Sequence, residues 1–141
     1  MAEQVHDVVE GEGYAVADVD ALADGPGFRK VRRALGVTAF GVNAIELPPG
    51  YETGRHYHEQ QEELYFIHRG RVEMTLGDED VYELGPGCVA RVDAATIRKI
   101  KCVSEEPAVY LVTGGKGGYV GRDGKVPEGE TSRFGRSGAP G

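Results

Sequence analysis

Residues 50–70 read GYETGRHYHEQQEELYFIHRG, and this stretch contains three of the four histidines of the chain, among them His56 and His58. Residues two apart on an extended strand share a face, so both imidazoles point in the same direction. The polar residues 59–62 can turn the chain, and the apolar run after Glu63 can pair back as the next strand. We therefore expect the Glu63 carboxylate to lie close to both imidazoles.

Two imidazoles and one carboxylate on one side of an ion leave coordination positions open, as in non-haem iron oxygenases. The pattern therefore predicts a metal site at His56, His58 and Glu63. The alternative interpretation of a bare His-x-His pattern is a pair of surface histidines beside an acidic loop, and the local spacing leaves both open.

Polar and apolar residues alternate on either side of this stretch. Residues 71–76 alternate without a break, as a half-buried strand does. Glycine, proline and acidic turn residues separate further short runs, which lie at residues 37–47, 81–84, 88–92, 96–103 and 108–113. Many short strands with regular turn signals predict an all-β sandwich or barrel.

The segment before these strands is less regular. Residues 28–35 fit either a strand or a helix, and the flanking glycines and short length favour a strand. The basic cluster at residues 29–33 would then be a solvated strand face. Residues 14–22 predict a weaker strand or a short helical turn.

The C-terminal part of the chain is rich in glycine, with ten glycines from Gly114 onward. Such a composition buries too little apolar surface to offset the entropy of ordering. We expect a single domain at residues 1–126, followed by a flexible tail at residues 127–141.

Composition excludes several classes of protein. The chain has 141 residues and a formal net charge of −7, whereas a nucleic-acid-binding domain would show a basic face. No apolar run approaches the ~20 residues that cross a bilayer, and the N-terminus lacks signal-peptide character, so we expect a cytoplasmic protein. Cys88 and Cys102 are too few for a disulfide framework.

The spacing of the central stretch resembles the first conserved motif of the cupin superfamily. Gly50, His56, His58, Glu63 and Gly70 match that motif at every position. The resemblance implies a double-stranded β-helix, the cupin-type jelly-roll barrel. It also implies a homodimer joined through the N-terminal strands.

The second cupin motif keeps its spacing from Gly87 but loses most of its residues. In metal-binding cupins a histidine of this motif completes the ligand set, and here that position is Arg98. Alternation places Arg98 on the same strand face as Ile100, which points its side chain inward. A buried arginine needs a partner, and Glu63 is the obvious one. The resemblance as a whole covers residues 37–113.

Two interpretations of the site follow. In the first, His56, His58 and Glu63 hold a divalent ion (iron, manganese, nickel or zinc) while Arg98 anchors an anionic ligand. In the second, Arg98 pairs with Glu63 and the site is free of metal.

The resemblance implies several functions. An enzyme would be a metal-dependent oxygenase, isomerase or decarboxylase that acts on a small anionic or polyhydroxylated molecule. Arg98 and Tyr65 are then the candidate catalytic residues, although the pattern favours a position in the barrel core for Tyr65. The alternatives are a non-catalytic ligand-binding or sensory cupin and a barrel that serves only as an interaction module.

Removal of residues 127–141 should leave the fold intact, because this segment offers little to bury. We expect a chain that ends at Val126 to keep its melting temperature within about 2 °C of the full chain in calorimetry. A loss of several degrees would show that the tail is docked on the domain.

Overall fold

The computed structural model describes residues 2–22 and 27–129. Within these residues there are twelve strands: β1 (Val9–Gly11), β2 (Tyr14–Val16), β3 (Gly27–Arg29), β4 (Gly41–Leu47), β5 (Tyr57–His58), β6 (Glu62–Arg69), β7 (Val72–Leu76), β8 (Asp80–Leu84), β9 (Val89–Val92), β10 (Arg98–Cys102), β11 (Ala108–Gly115) and β12 (Gly124–Lys125). One α-helix, α1 (Val31–Leu35), and one 3₁₀ turn (Val19–Leu22) complete the described elements. Most of the predicted tail, residues 130–141, lies outside them.

Two antiparallel sheets face each other and form a double-stranded β-helix. The larger sheet has the strand order β3-β4-β11-β6-β9, and the smaller has the order β10-β7-β8. Isolated bridges between Glu52 and Lys101 and between His56 and Arg98 lay the segment before β5 along β10. The all-β jelly-roll barrel expected from the sequence is therefore confirmed.

Apolar side chains from both sheets fill the space between them. The buried cluster consists of Ile45, Leu47, Tyr65, Ile67, Val72, Met74, Val92, Ile100, Cys102, Ala108 and Tyr110. Alternation along β6 decides which residues enter it, because Ile67 is 1% exposed and Leu64 is 47% exposed. The same alternation turns Glu63 and Tyr65 inward.

Five of the predicted strands are present in the segments 71–76, 81–84, 88–92, 96–103 and 108–113. The strand predicted over residues 37–47 is shorter than expected and begins only at Gly41. A bend at residues 39–40 precedes it.

The strand favoured over residues 28–35 is wrong for most of its length. Only the end of β3 lies there, and α1 follows it. Gly36 ends the helix with φ 74°, a left-handed conformation that glycine adopts without steric cost. The basic cluster is not a solvated strand face either, since Arg29 is buried and its Nη2 donates to Glu46 Oε1 at 2.8 Å.

The expectation that β6 pairs back with the histidine strand is also wrong. β5 pairs with β12, whereas β6 pairs with β11 and β9. The turn between β5 and β6 carries the chain from the two-stranded sheet β12-β5 to the larger sheet, so Glu63 reaches the histidines across the interior instead of from the neighbouring strand.

The alternation along β6 predicts opposite outcomes for two substitutions of similar size. Ile67→Ala removes core volume and should lower the free energy of unfolding by about 2–5 kcal/mol. Leu64→Ala, on the outer face, should change it by less than about 1 kcal/mol. Urea titrations measure both values, and equal effects would contradict the face assignment.

Candidate metal centre

Three potential metal ligands meet inside the barrel. His56, His58 and Glu63 each offer one donor atom, and these atoms lie within 4.8 Å of one another. All three side chains are buried, and the two imidazole rings stand edge to face with centroids 5.7 Å apart. The structure thus brings together the three residues that the sequence predicted as ligands.

The strands fix these side chains through backbone pairing. His56 exchanges two backbone hydrogen bonds with Arg98 at 3.0 and 2.9 Å. His58 lies at the end of β5, and its amide donates to the carbonyl of Ala94 at 2.7 Å. Glu63, near the start of β6, pairs with Val92 on β9.

The Glu63 carboxylate is the electrostatic focus of the site. Its Oε1 accepts a hydrogen bond from the Tyr65 hydroxyl at 2.6 Å and lies 3.2 Å from His58 Nε2. Burial works to raise the pKa of Glu63, but His58, with Tyr65 and Arg98, outweighs it and lowers that pKa to about 2. The carboxylate is therefore ionised and available as a ligand.

Tyr65 serves this carboxylate as a donor. Burial, and then the charge of Glu63, raise the pKa of Tyr65 well above its ordinary value. The hydroxyl stays protonated near neutral pH and points its proton at Glu63.

Arg98 is wholly enclosed, with 0% of the residue exposed. Its Nη2 donates to the carbonyl of Asp93 at 2.6 Å, and its Nη1 lies 3.5 Å from Glu63 Oε1. Nε and Nη1 are buried and make no hydrogen bond with any described residue. Unsatisfied buried donors of a charged group are costly, so this guanidinium favours an additional acceptor.

The donor set fits a divalent transition metal. Imidazole nitrogens and a carboxylate oxygen are ligands that such ions accept. Donors bound about 2.1 Å from one ion stand at most about 4.2 Å apart. The three donor atoms lie within 4.8 Å of one another, so small side-chain rotations would bring all three to bonding distance of one ion. The positive charge of Arg98 would repel the ion, and an anion bound between them would offset this repulsion.

A cavity of about 60 Å³ opens beside these ligands at the mouth of the barrel. Its wall includes His58, Glu63, Arg32, Arg122 and Asp123. Arg98 is not among the described residues that line it. The cavity therefore brings two of the candidate ligands, His58 and Glu63, beside two arginines.

Sequence reasoning missed Asp123 as a residue of this site. The sequence Gly121-Arg122-Asp123-Gly124 is typical of a hairpin turn, yet Asp123 is buried and its Oδ2 lies 3.7 Å from His58 Nδ1. No local sequence pattern predicts the contact between Asp123 and His58, because this contact depends on the pairing of β12 with β5.

The sequence profile of the Cupin domain family matches residues 43–114. The chain belongs to the cupin family. The matched segment contains the three candidate ligands and Arg98 and ends before Asp123. A search of curated proteins finds no significant match to this cupin.

Solved structures give the same family relationship. A cupin protein from Bacteroides fragilis is 27% identical with a TM-score of 0.59, and the alignment covers 67% of this chain and 80% of that one. A cupin-superfamily sugar phosphate isomerase from Silicibacter pomeroyi is 25% identical with a TM-score of 0.59, over 70% of this chain and 74% of that one. A DMSP lyase structure is 27% identical with a TM-score of 0.55, over 63% of this chain and 44% of that one.

Among the described residues of this cupin, no helix has the length and apolar character needed to span a membrane.

Replacing Tyr65 by Phe tests its hydrogen bond to Glu63. The Tyr65→Phe variant removes a charge-assisted bond inside the barrel and should lower the free energy of unfolding by about 1.5–3 kcal/mol at neutral pH. Tyr82 is 55% exposed, so Tyr82→Phe should change it by less than about 0.5 kcal/mol. Urea denaturation of metal-free protein compares them, and a neutral Tyr65→Phe would contradict the assigned hydrogen bond.

Proposed function

We propose that this cupin is a metal-dependent enzyme acting on a small anionic, polyhydroxylated substrate, as an isomerase, a decarboxylase or an oxygenase. The observation that carries the proposal is the convergence of three buried ligand atoms within 4.8 Å beside a cavity. His56, His58 and Glu63 would hold the ion. Such an ion supplies Lewis-acid polarisation of a substrate oxygen.

Arg98 is the residue we propose to bind the anionic group of the substrate. Its Nε and Nη1 are unsatisfied donors, and Nη1 lies 3.5 Å from Oε1 of Glu63, a residue that lines the cavity. A carboxylate or phosphate oxygen would satisfy them with charge-assisted hydrogen bonds. Arg32 and Arg122 line the cavity and add positive charge along the route inward.

In this proposal Tyr65 orients Glu63, one of the three metal ligands. Its hydroxyl holds Glu63 Oε1 at 2.6 Å and restricts the carboxylate to one orientation. The cavity of about 60 Å³ has room for a few water molecules, so it would take the anionic group of the substrate while the hydroxyl-bearing remainder lies toward the mouth of the barrel.

The solved structures support an isomerase or a lyase in particular. Two of the similar proteins are described as a sugar phosphate isomerase and a DMSP lyase, at 25% and 27% identity. The first of these acts on a class of molecule that is both anionic and polyhydroxylated, which is the chemistry that Arg98 and the metal would recognise here.

A second candidate function is a non-catalytic, metal-free ligand-binding cupin. It is favoured by the position of Arg98 Nη1, only 3.5 Å from Glu63 Oε1. In that case the Arg98 guanidinium neutralises the Glu63 carboxylate, and His56 and His58 bind an anion without a metal.

Substitution of Arg98 separates the two functions. At an effective dielectric of ~20, a unit charge ~6 Å from a divalent ion is repelled by about 5 kcal/mol before Glu63 offsets it. Arg98→His removes this repulsion and adds a ligand, so affinity for manganese, iron, nickel or zinc should rise at least about tenfold. Arg98→Ala should also bind metal more tightly but bind carboxylates about tenfold more weakly.

Isothermal titration of each metal measures these affinities, and Lys99→His is the matched control. Lys99 lies next to Arg98 on β10 with its side chain on the opposite face, paired to Glu52 at 3.4 Å. Lys99→His should leave metal affinity unchanged. Equal affinity of wild type and Arg98→His would show that Arg98 does not face the ion, and an absence of metal binding in every variant would establish the non-catalytic alternative.

A further inference from the structure

A segment that follows the barrel strands crosses the mouth of the barrel. In this mouth segment, residues 119–125, Gly124 pairs with His58 and Lys125 pairs with Tyr57. The Arg32 guanidinium lies 3.9 Å from the centroid of the Tyr119 ring and fixes the other end of the segment. The mouth segment lies outside residues 43–114, the part matched by the family profile.

Asp123 is the buried acidic residue of the mouth segment. Its Oδ2 accepts hydrogen bonds from the backbone amides of Gln60 at 2.9 Å and Gln61 at 2.8 Å. The same oxygen lies 3.7 Å from His58 Nδ1. One carboxylate oxygen therefore holds the turn after β5 and faces the back of the His58 ring.

The two nitrogens of His58 face different partners. Nε2 lies 3.2 Å from Glu63 Oε1 and so points toward the candidate metal centre. Nδ1 lies on the opposite side of the ring, where the Gln61 amide nitrogen donates to it at 3.0 Å and Asp123 Oδ2 lies 3.7 Å away. A histidine that binds metal through one nitrogen donates its other N–H to an acceptor, which fixes the tautomer and the ring orientation.

We infer that Asp123 is a positioning residue for the metal centre. When an ion takes the lone pair of His58 Nε2, Nδ1 carries the proton, and the Asp123 carboxylate accepts a hydrogen bond from this Nδ1–H in place of the Gln61 contact. The inference rests on the proposed function, because it explains how His58 serves as a ligand. Only a short movement of the mouth segment or of the ring is needed to bring 3.7 Å to hydrogen-bond distance.

The variant Asp123→Asn tests the inference with little change in shape. The amide oxygen can still accept from the Gln60 and Gln61 amides, so the melting temperature of the metal-free protein should stay within about 4 °C of wild type. Loss of the carboxylate should weaken zinc or manganese binding about 10- to 100-fold. Isothermal titration provides the affinities.

Glu59→Gln is the matched control. Glu59 Oε1 pairs with Lys125 Nζ at 3.7 Å, and both side chains are largely exposed. This pair joins the same turn to the same mouth segment without contacting the His58 ring. The control should change metal affinity less than about twofold, and a loss equal to that of Asp123→Asn would overturn the inference in favour of a general charge effect.

A rescue variant distinguishes positioning of His58 from support of the turn. Gln61→Glu places a carboxylate beside His58 Nδ1, where the Gln61 amide nitrogen now lies at 3.0 Å. Added to Asp123→Asn, it should recover metal affinity about fivefold or more. Failure to recover, or wild-type affinity in Asp123→Asn alone, would overturn the inference.

A metal-free measurement keeps this inference separate from the proposed function. In nuclear magnetic resonance spectra of metal-free protein, the signal of the His58 Nδ1 nitrogen reports how often Nδ1 carries a proton. It should shift in Asp123→Asn, because the nearby carboxylate favours that proton, and it should stay at its wild-type position in Glu59→Gln. If wild type binds no metal, the proposed function fails, and this result alone decides the role of Asp123. An unchanged Nδ1 signal in Asp123→Asn would overturn it.

Discussion

The ionised carboxylate of Glu63 inside an apolar barrel is the constraint on which the rest of the site depends. A buried charge is tolerated only with close partners, and Tyr65, His58 and Arg98 converge on one oxygen of that carboxylate. A divalent ion and Arg98 together would outweigh the negative charges of Glu63 and Asp123. With the ion bound, the interior of the barrel would carry net positive charge and would favour an anionic ligand. This charge balance, more than the shape of the cavity, is the basis for the substrate class we propose.

Strand alternation links the site to the core. Along β6 the residues Glu63, Tyr65 and Ile67 share the inner face. The two-residue alternation therefore places a candidate ligand, the tyrosine that donates a hydrogen bond to it and a core residue on the same side of one strand. On β10 the same rule buries Arg98 beside Ile100. Substitutions that shift the register of either strand would therefore disturb packing and chemistry together.

Local pattern predicted the parts of the structure that depend on periodicity. The barrel strands, the shared direction of His56 and His58, and the inward direction of Arg98 all follow from residues two apart sharing a face. Helix α1 could not be predicted in this way, because a five-residue segment fits both the helical and the strand periodicity. Asp123 could not be predicted either. Its position beside His58 depends on pairing between β12 and β5, which are far apart in sequence.

Diffraction at a metal absorption edge, from crystals grown with manganese or zinc, tests most directly whether His56, His58 and Glu63 form a metal centre. We expect one anomalous peak about 2.0–2.3 Å from a nitrogen of each histidine and from an oxygen of Glu63. The opposite result would be no peak among these three side chains, with Arg98 Nη1 still beside the Glu63 carboxylate. That result would contradict the metal centre and leave a metal-free ion pair in its place.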